Sequence, residues 1–302
     1  MKTFVWCLPV LFLMACDKIP PRVPPPAPDC VLNTPVVMTN TATNNSRKIL
    51  LEDYTGHTCG NCPRAAEEVE RLLGEYNDKI VVIANHVSVT FAAPRKGYRE
   101  DFRNPASTEW DGFFKMSATG LPQGGVNRMK VNGQYAMLYS AWKTVVPAAL
   151  DAPQAARIDL TTTYDAAQKL LNVKAKTTFL TNLPYDVSLV ILLTQDKIVG
   201  NQTDYRPPTG SAVDPAEPDK RTDYEFNHIV IGSINGTWGD VVKSSPSKGD
   251  TITIQKNCNV INRCFYQNDV CVSDDHVNVV AFLYNNATRE VVQVEKLKIR
   301  NN

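Results

Sequence analysis

The sequence predicts an α/β domain followed by an all-β antiparallel sandwich domain. Three observations carry that reading. First, an apolar run, Lys48–Tyr54, leads through Cys59-Gly60-Asn61-Cys62 into a helical stripe and on to a second apolar run, Ile80–Val87. Two buried strands joined by one helix form a βαβ unit and so a parallel pair. Second, from Ala155 the apolar period falls to two and stays there, which is the period of strands with one face in a core. Third, residues 17–46 carry no periodicity and lie outside both patterns. The expected organisation is a leader at 1–15, a tether at 16–46, an α/β domain at 47–153 with an insert at 87–121, and a β-sandwich at 154–302.

Length and composition agree with this division. The chain has 302 residues, and a domain typically takes ~150. A formal net charge of +1 gives no electrostatic reason to expect nucleic acid as a partner. Of eight cysteines, seven remain after a leader is removed, a number suited to an oxidising compartment.

The N-terminus reads as an export signal. Lys2 supplies the positive end, and Phe4–Ala15 is an apolar core too short to span a bilayer. Leu13-Met14-Ala15-Cys16 resembles the lipobox of bacterial lipoproteins. The resemblance implies cleavage before Cys16 and diacylation of its thiol, so that the protein meets the membrane through an N-terminal lipid. Acyl chains contribute ~0.8 kcal/mol per buried methylene, and more than one gives a stable anchor. The alternative is an ordinary secretory signal with a chance cysteine. Pro20, Pro21, Pro24, Pro25, Pro26 and Pro28 favour an extended polyproline stalk. An edge strand is expected at Pro35–Thr39. Cys30 sits in the stalk.

In the α/β part, Ala65, Ala66, Val69, Leu72, Leu73 and Tyr76 form one helical stripe, with Arg64, Glu67, Glu68, Glu70 and Arg71 outward. Gly125–Val131 reads as a strand, Asn132-Gly133 as a hairpin turn, and Gln134–Ala136 as the start of a return strand. Met137–Val146 reads as a helix ended by Pro147. The insert carries Tyr98, Phe102, Trp110, Phe113 and Phe114, which fit either packing on the sheet or lining a groove.

A C-x-x-C at the junction of strand and helix is an arrangement suited to dithiol chemistry. The helix N-terminus and the nearby His57 favour the Cys59 thiolate, which would attack a substrate disulfide, and Cys62 would resolve the mixed disulfide. A static Cys59–Cys62 disulfide that closes the turn is the other use of the same residues. No second C-x-x-C and no H-x-x-x-H stands at zinc spacing, so neither a metal nor a cofactor is expected. The order strand, C-x-x-C, helix, strand, Gly120-Leu121-Pro122 is similar to the thioredoxin fold. That resemblance implies a cis Leu121–Pro122 bond shaping a substrate groove, and a proton-relay role for Asp53. Taken alone, Asp53 also fits a strand-end carboxylate in solvent. Thr58, where thioredoxins carry Trp, and Gly60-Asn61 depart from that family.

In the β-rich part, strands are expected at Arg157–Asp165, Leu170–Leu180, Val187–Ile198, Phe226–Ile234, Asp250–Ile261, His276–Tyr284 and Glu290–Ile299. A turn at Asn285–Arg289 joins the last two. Gly200–Asp223, with Asp204, Asp214, Glu217, Asp219 and Asp223, reads as a solvated loop without calcium-loop spacing. Pairing of 250–261 with 276–284 would set Cys264 opposite Cys271 and leave Cys258 free or bound to Cys30. His86, His228 and His276 are expected to pack rather than ligate.

A closer resemblance rests on E-D-Y-T-G-H-T-C-G-N-C-P, G-L-P-Q-G-G-V-N-R and D-Y-E-F-N-H-I-V. These segments resemble the Omp28-related outer-membrane lipoproteins of Bacteroidota. The resemblance implies a lipid-anchored envelope protein facing the periplasm or the surface, with envelope or extracellular proteins as partners. Two functions fit: thiol–disulfide exchange, or non-catalytic surface binding of the adhesin type with the α/β part as scaffold.

Overall fold

The computed structural model describes residues 36–38, 46–207, 213–214, 217–259, 264–266 and 270–300. The expectations for the leader, Cys16, the proline run and Cys30 lie outside these residues. A short strand, β1 (Val36–Met38), stands where the edge strand is expected. β2 (Ile49–Thr55) and β3 (Ile80–His86) are buried at every position and pair in parallel, from Ile49 opposite Ile80 to Thr55 opposite His86. Continuous apolar runs are what strands covered on both faces require. Between them α1 (Cys62–Tyr76) buries Ala65, Val69 and Leu72. Pro63 sits in its first turn, where a missing N–H costs no helical bond.

The insert folds as α2 (Val89–Ala92) and α3 (Pro105–Phe114). Asn104 caps α3 by accepting the Ser107 N–H at 3.0 Å. Tyr98, Phe102, Trp110 and Phe114 are buried, and Phe113 is half exposed, so packing accounts for most of these aromatics.

β4 (Gln123–Val126) follows the cis Leu121–Pro122 bond and pairs antiparallel with β2. It stops short of the expected Val131 because Asn127 and Arg128 take φ of 50° and 54°, outside strand geometry. Asn132-Gly133 makes the expected turn, with Val131 and Gln134 exchanging hydrogen bonds. The return chain then makes one bridge, Gly124 to Met137. That bridge holds Met137 extended, so α4 (Trp142–Leu150) starts later than expected. α4 also runs through Pro147 rather than ending there. The lost helical bond is offset by Trp142, Val146 and Ala149, which are buried in the same core as Ile49, Leu51 and Val126.

The second half supplies β5 (Ala156–Asp165), β6 (Leu170–Phe179), β7 (Val187–Gln195), β8 (Ile198–Thr203), β9 (Val213–Asp214), β10 (Glu217–Phe226), β11 (Ile229–Ser233), β12 (Asp240–Lys243), β13 (Thr251–Asn259), β14 (Cys264–Tyr266), β15 (Val270–Cys271), β16 (Val277–Asn285) and β17 (Val291–Lys298). Two expected strands each break once. Lys197 at φ 57° ends one and His228 at φ 60° the other. The breaks hold each other, since Lys197 N–H donates to Asn227 Oδ1 and His228 N–H to Asp196 Oδ1. The stretch 200–223 is not simply a solvated loop. β8, β9 and β10 form a three-stranded sheet, and Gln202, Lys220 and Arg221 are buried in it.

β13 does not pair with β16. It pairs with β6 at one edge of the sheet β1-β5-β6-β13, while β16 lies between β7 and β17. Burial explains the choice. β16 is buried at all positions but its last, which suits a central strand, whereas β13 alternates between exposed and half-buried, which suits an edge. The short β14–β15 pair still sets Cys264 opposite Cys271, and Cys271 is disulfide-bonded. Cys258 is a free, half-buried thiol, pushed up to about 11 by burial.

The large sheet runs β17-β16-β7-β11-β3-β2-β4, with β12 on β7. Strands from both sides of residue 153 therefore share one sheet, and the division expected at 153/154 is a connection within a single folded unit, 35–302. One face of this sheet carries Val81, Ile83, Val190, Val280 and Phe282 against Trp110 of α3. On the other face, Leu189, Ile191, Val279 and Ala281 meet β5 and β6, and Leu51 and Val82 share a core with α1 and α4.

Within the α3 face lies a fully buried ion pair. Arg128 donates from Nε and Nη2 to the two Glu52 oxygens, both at 2.9 Å, and both side chains are 0% exposed. Trp110, Phe114 and Phe282 surround the guanidinium at 4.8–4.9 Å. Removing one partner strands a buried charge at a cost of about 3–5 kcal/mol, whereas an apolar pair can replace both with little loss. Arg128→Leu is therefore expected to lower the unfolding free energy in urea by about that amount, and Glu52→Leu/Arg128→Leu to recover most of it.

Candidate functional site

The period of two along β2 sets the site. Glu52 and Tyr54 turn toward α3, while Asp53 and Thr55 line a cavity against α1. Beyond Thr55 the chain turns tightly. Cys59 N–H donates to Gly56 O at 3.0 Å and Cys62 N–H to Cys59 O at 3.1 Å, and α1 starts at Cys62. Cys59 and Cys62 are joined by a disulfide, with their Cα atoms 5.4 Å apart. Pairing of Tyr54 with Gln123 brings Pro122 alongside the end of β2. The C-x-x-C turn and the proline thus lie at the same end of β2.

Next to Cys62 is a cavity of about 310 Å³, lined among others by Asp53, Ala66, Glu70, Tyr224 and His228. Asp53 is buried rather than solvated, and its Oδ1 has no hydrogen-bond partner among the described residues. Burial pushes its carboxyl up to about 7, against a smaller downward pull from His228. Burial also draws His228 down, but the nearby carboxylates of Asp196 and Glu70 outweigh it and raise the imidazole overall. His228 Nδ1 stands 3.2 Å from Asp196 and Nε2 3.7 Å from Glu70.

The imidazoles near the turn are neutral at neutral pH. Burial holds His57 down to about 4, with a small opposing contribution from its bond to Ala93 O. His57 stacks on Tyr98. His86, packed edge-on against Phe102 and Phe226, is lowered to about 3 by burial. His57 therefore gives Cys59 no imidazolium, and the expectation that it favours a thiolate there loses its electrostatic basis.

The residues that sequence reasoning missed come from β8 and the segment just after it. Thr203 N–H donates to His57 O at 2.8 Å and Tyr205 N–H to Gly60 O at 2.9 Å. Gln202 Nε2 donates to Cys59 O at 3.1 Å. The Tyr205 ring lies over Gly60, where an added Cβ would collide with it. Beneath this cover Cys59 and Cys62 are each 2% exposed. These contacts span some 140 positions of sequence, and no local pattern marks their residues.

Comparison with known proteins bears on family and fold. The profile of the family described as "Outer membrane protein Omp28" matches residues 113–302, so the match begins beyond the C-x-x-C. No curated protein matches the chain. HBP35 of Porphyromonas gingivalis is similar in fold, with a TM-score of 0.58 and 16% identity, covering 84% of this chain and 76% of that one. A protein from Agrobacterium tumefaciens aligns at a TM-score of 0.46 and 13% identity over 86% of this chain and 98% of its own. A domain of the outer membrane lipoprotein Omp28 from Porphyromonas gingivalis aligns at 0.31 and 16% identity over 49% and 91%.

The Asp53 carboxyl yields a pH prediction. Its folded pKa of about 7 lies above the unfolded value, so between roughly pH 4 and 7 the folded state binds the extra proton and stability falls as pH rises. Asp53→Asn removes that loss. The gain in unfolding free energy over the native protein is expected to be about 2–3 kcal/mol larger at pH 8 than at pH 5. Equal gains at both pH values, read by urea unfolding, would show that Asp53 does not titrate in this range.

Proposed function

This chain belongs to the outer membrane protein Omp28 family, and we propose that its C-x-x-C carries thiol–disulfide exchange on envelope proteins from a thioredoxin-like, lipid-anchored fold. The observation that carries the reading is the joint placement of Cys59, Cys62 and the cis Leu121–Pro122 bond at one strand end, with buried Asp53 lining the cavity beside Cys62. The βαβ order of β2, α1 and β3, with β4 antiparallel beside β2, supports the likeness to thioredoxins. Anchoring through Cys16 and a Cys264–Cys271 staple belong to the same proposal.

In the reduced state the Cys59 thiolate attacks one sulfur of a partner disulfide. A Cys59–partner mixed disulfide forms, and the other partner sulfur leaves as a thiolate that takes a proton from water. Cys62 then gives its proton to the Asp53 carboxylate, and its thiolate attacks Cys59 Sγ. The second partner thiolate leaves and the Cys59–Cys62 bond closes. Two electrons pass from the cysteine pair to the partner, and the reverse sequence oxidises a partner dithiol. A carboxyl with a pKa of about 7 is suited to taking and returning a proton near neutral pH. Sulfur-to-sulfur exchange moves both electrons without a cofactor.

The burial of both sulfurs favours a second reading, in which the disulfide is static and the protein binds surface partners without catalysis. Trapping separates the two. Cys62→Ala, expressed in the native envelope, is expected to accumulate mixed disulfides at Cys59, seen as reducible adducts on non-reducing gels. Absence of adducts, together with failure of the reduced native protein to reduce insulin, would select the static reading. In the exchange reading, Asp53→Asn slows resolution of a mixed disulfide by about 10²-fold at pH 7, the usual size of a proton-transfer contribution.

A further inference from the structure

The cover over the C-x-x-C has the geometry of a bound peptide. Thr203 and Tyr205, two residues apart, donate their main-chain N–H groups to His57 O and Gly60 O. Alternate N–H groups facing one side are what an extended strand presents, and addition of such a strand is a recurrent way of holding a peptide. The ring of Tyr205 fills the space that the missing side chain of Gly60 leaves. The Gln202 amide adds a bond to Cys59 O, and the Arg64 guanidinium donates to Tyr205 O at 3.3 Å. Arg206 ties the segment's end to Asp204 at 2.8 Å and to Glu67 of α1 at 3.5 Å. Yet Tyr205 itself is 54% exposed. It is therefore pinned by directed contacts rather than sunk into the core.

We propose that residues 202–206 act as a built-in pseudosubstrate: they occupy the site where an extended peptide with an aromatic residue over Gly60 docks, and they close the disulfide until displaced. This deepens the exchange reading, on which it rests for the role of the site, by naming its substrate class. The partner is an extended, unfolded or edge-strand segment of an envelope protein. It offers N–H groups two residues apart to His57 O and Gly60 O, and an aromatic ring to the glycine between the cysteines.

The test measures the rate at which dithiothreitol reduces Cys59–Cys62 in the full folded chain, by alkylation and mass spectrometry, with Cys271 as an internal reference. Tyr205→Pro removes the N–H bond to Gly60 O and the ring, and Tyr205→Ala removes the ring alone. Both act at an exposed position, and thermal melts by circular dichroism check folding. Tyr205→Pro is expected to speed reduction by tenfold or more, and Tyr205→Ala by less. A synthetic peptide of residues 200–206 added to Tyr205→Pro is expected to slow it back toward the native rate, and the same peptide with Gly for Tyr is not. Equal rates in all three proteins, or no protection by the peptide, would overturn the proposal. The outcome is separable from that of exchange. Faster reduction and peptide protection with no trapped partners would leave the cover standing and remove the exchange role; trapped partners with equal rates would do the opposite.

Discussion

The structure depends on β2 being buried on both faces. A strand in that position has no solvent side, so each polar side chain it carries must find a partner inside or bear the cost of having none. Glu52 has Arg128, held by three aromatic rings. Asp53, one residue on and on the opposite face, has an unsatisfied oxygen and responds by holding its proton to near neutral pH. The same strand thus contains one carboxyl group clamped by a guanidinium and one left without a partner and titratable beside a disulfide. Neither state belongs to the residue type; each is set by the face of the sheet that the side chain enters.

The sheet joins what local patterns separate. β11 pairs in parallel with β3 at Ile229 and Ala84 and antiparallel with β7, and so links the βαβ unit to the antiparallel strands of the second half. The junction also supplies the far wall of the cavity at Cys62, through Tyr224 and His228. A site that local sequence assigns to one half is therefore built from both. Membership of the Omp28 family rests on residues after the C-x-x-C, and this architecture ties that region physically to the cysteines.

Much of the fold was legible because periodicity reports burial. The runs at β2 and β3, the stripe of α1 and the alternation of β5 and β6 were readable from local residues, and the cis Leu121–Pro122 bond from the resemblance to the thioredoxin fold. Three features were not. The breaks at Lys197 and His228 are set by φ values that no local composition demands, and each is held by a side chain about 30 positions away. The strands within 200–223 are polar because they bury Gln202, Lys220 and Arg221 through directed bonds rather than apolar surface, so a hydrophobicity pattern passes over them. The pairing of β13 was misplaced because an edge strand and a central strand with similar alternation differ only in how much of each is covered. At the site, Cys59 and Cys62 stand out by their spacing and Asp53 and Pro122 only through the resemblance to the thioredoxin fold, whereas the cover at Gln202 and Tyr205 is a long-range product of the sheet.

That long range has a consequence in time. Synthesis runs from the N-terminus, and Gln202 lies 140 positions after Cys62. The two thiols emerge with β2 and α1 well before β8 exists to lie over them. During that interval the bonds from Gln202, Thr203 and Tyr205 to the turn are not yet made. In the finished fold Cys59 and Cys62 are each 2% exposed. The pair is thus open to thiol and oxidant in the nascent chain, and in the finished fold the proposed exchange needs the cover displaced.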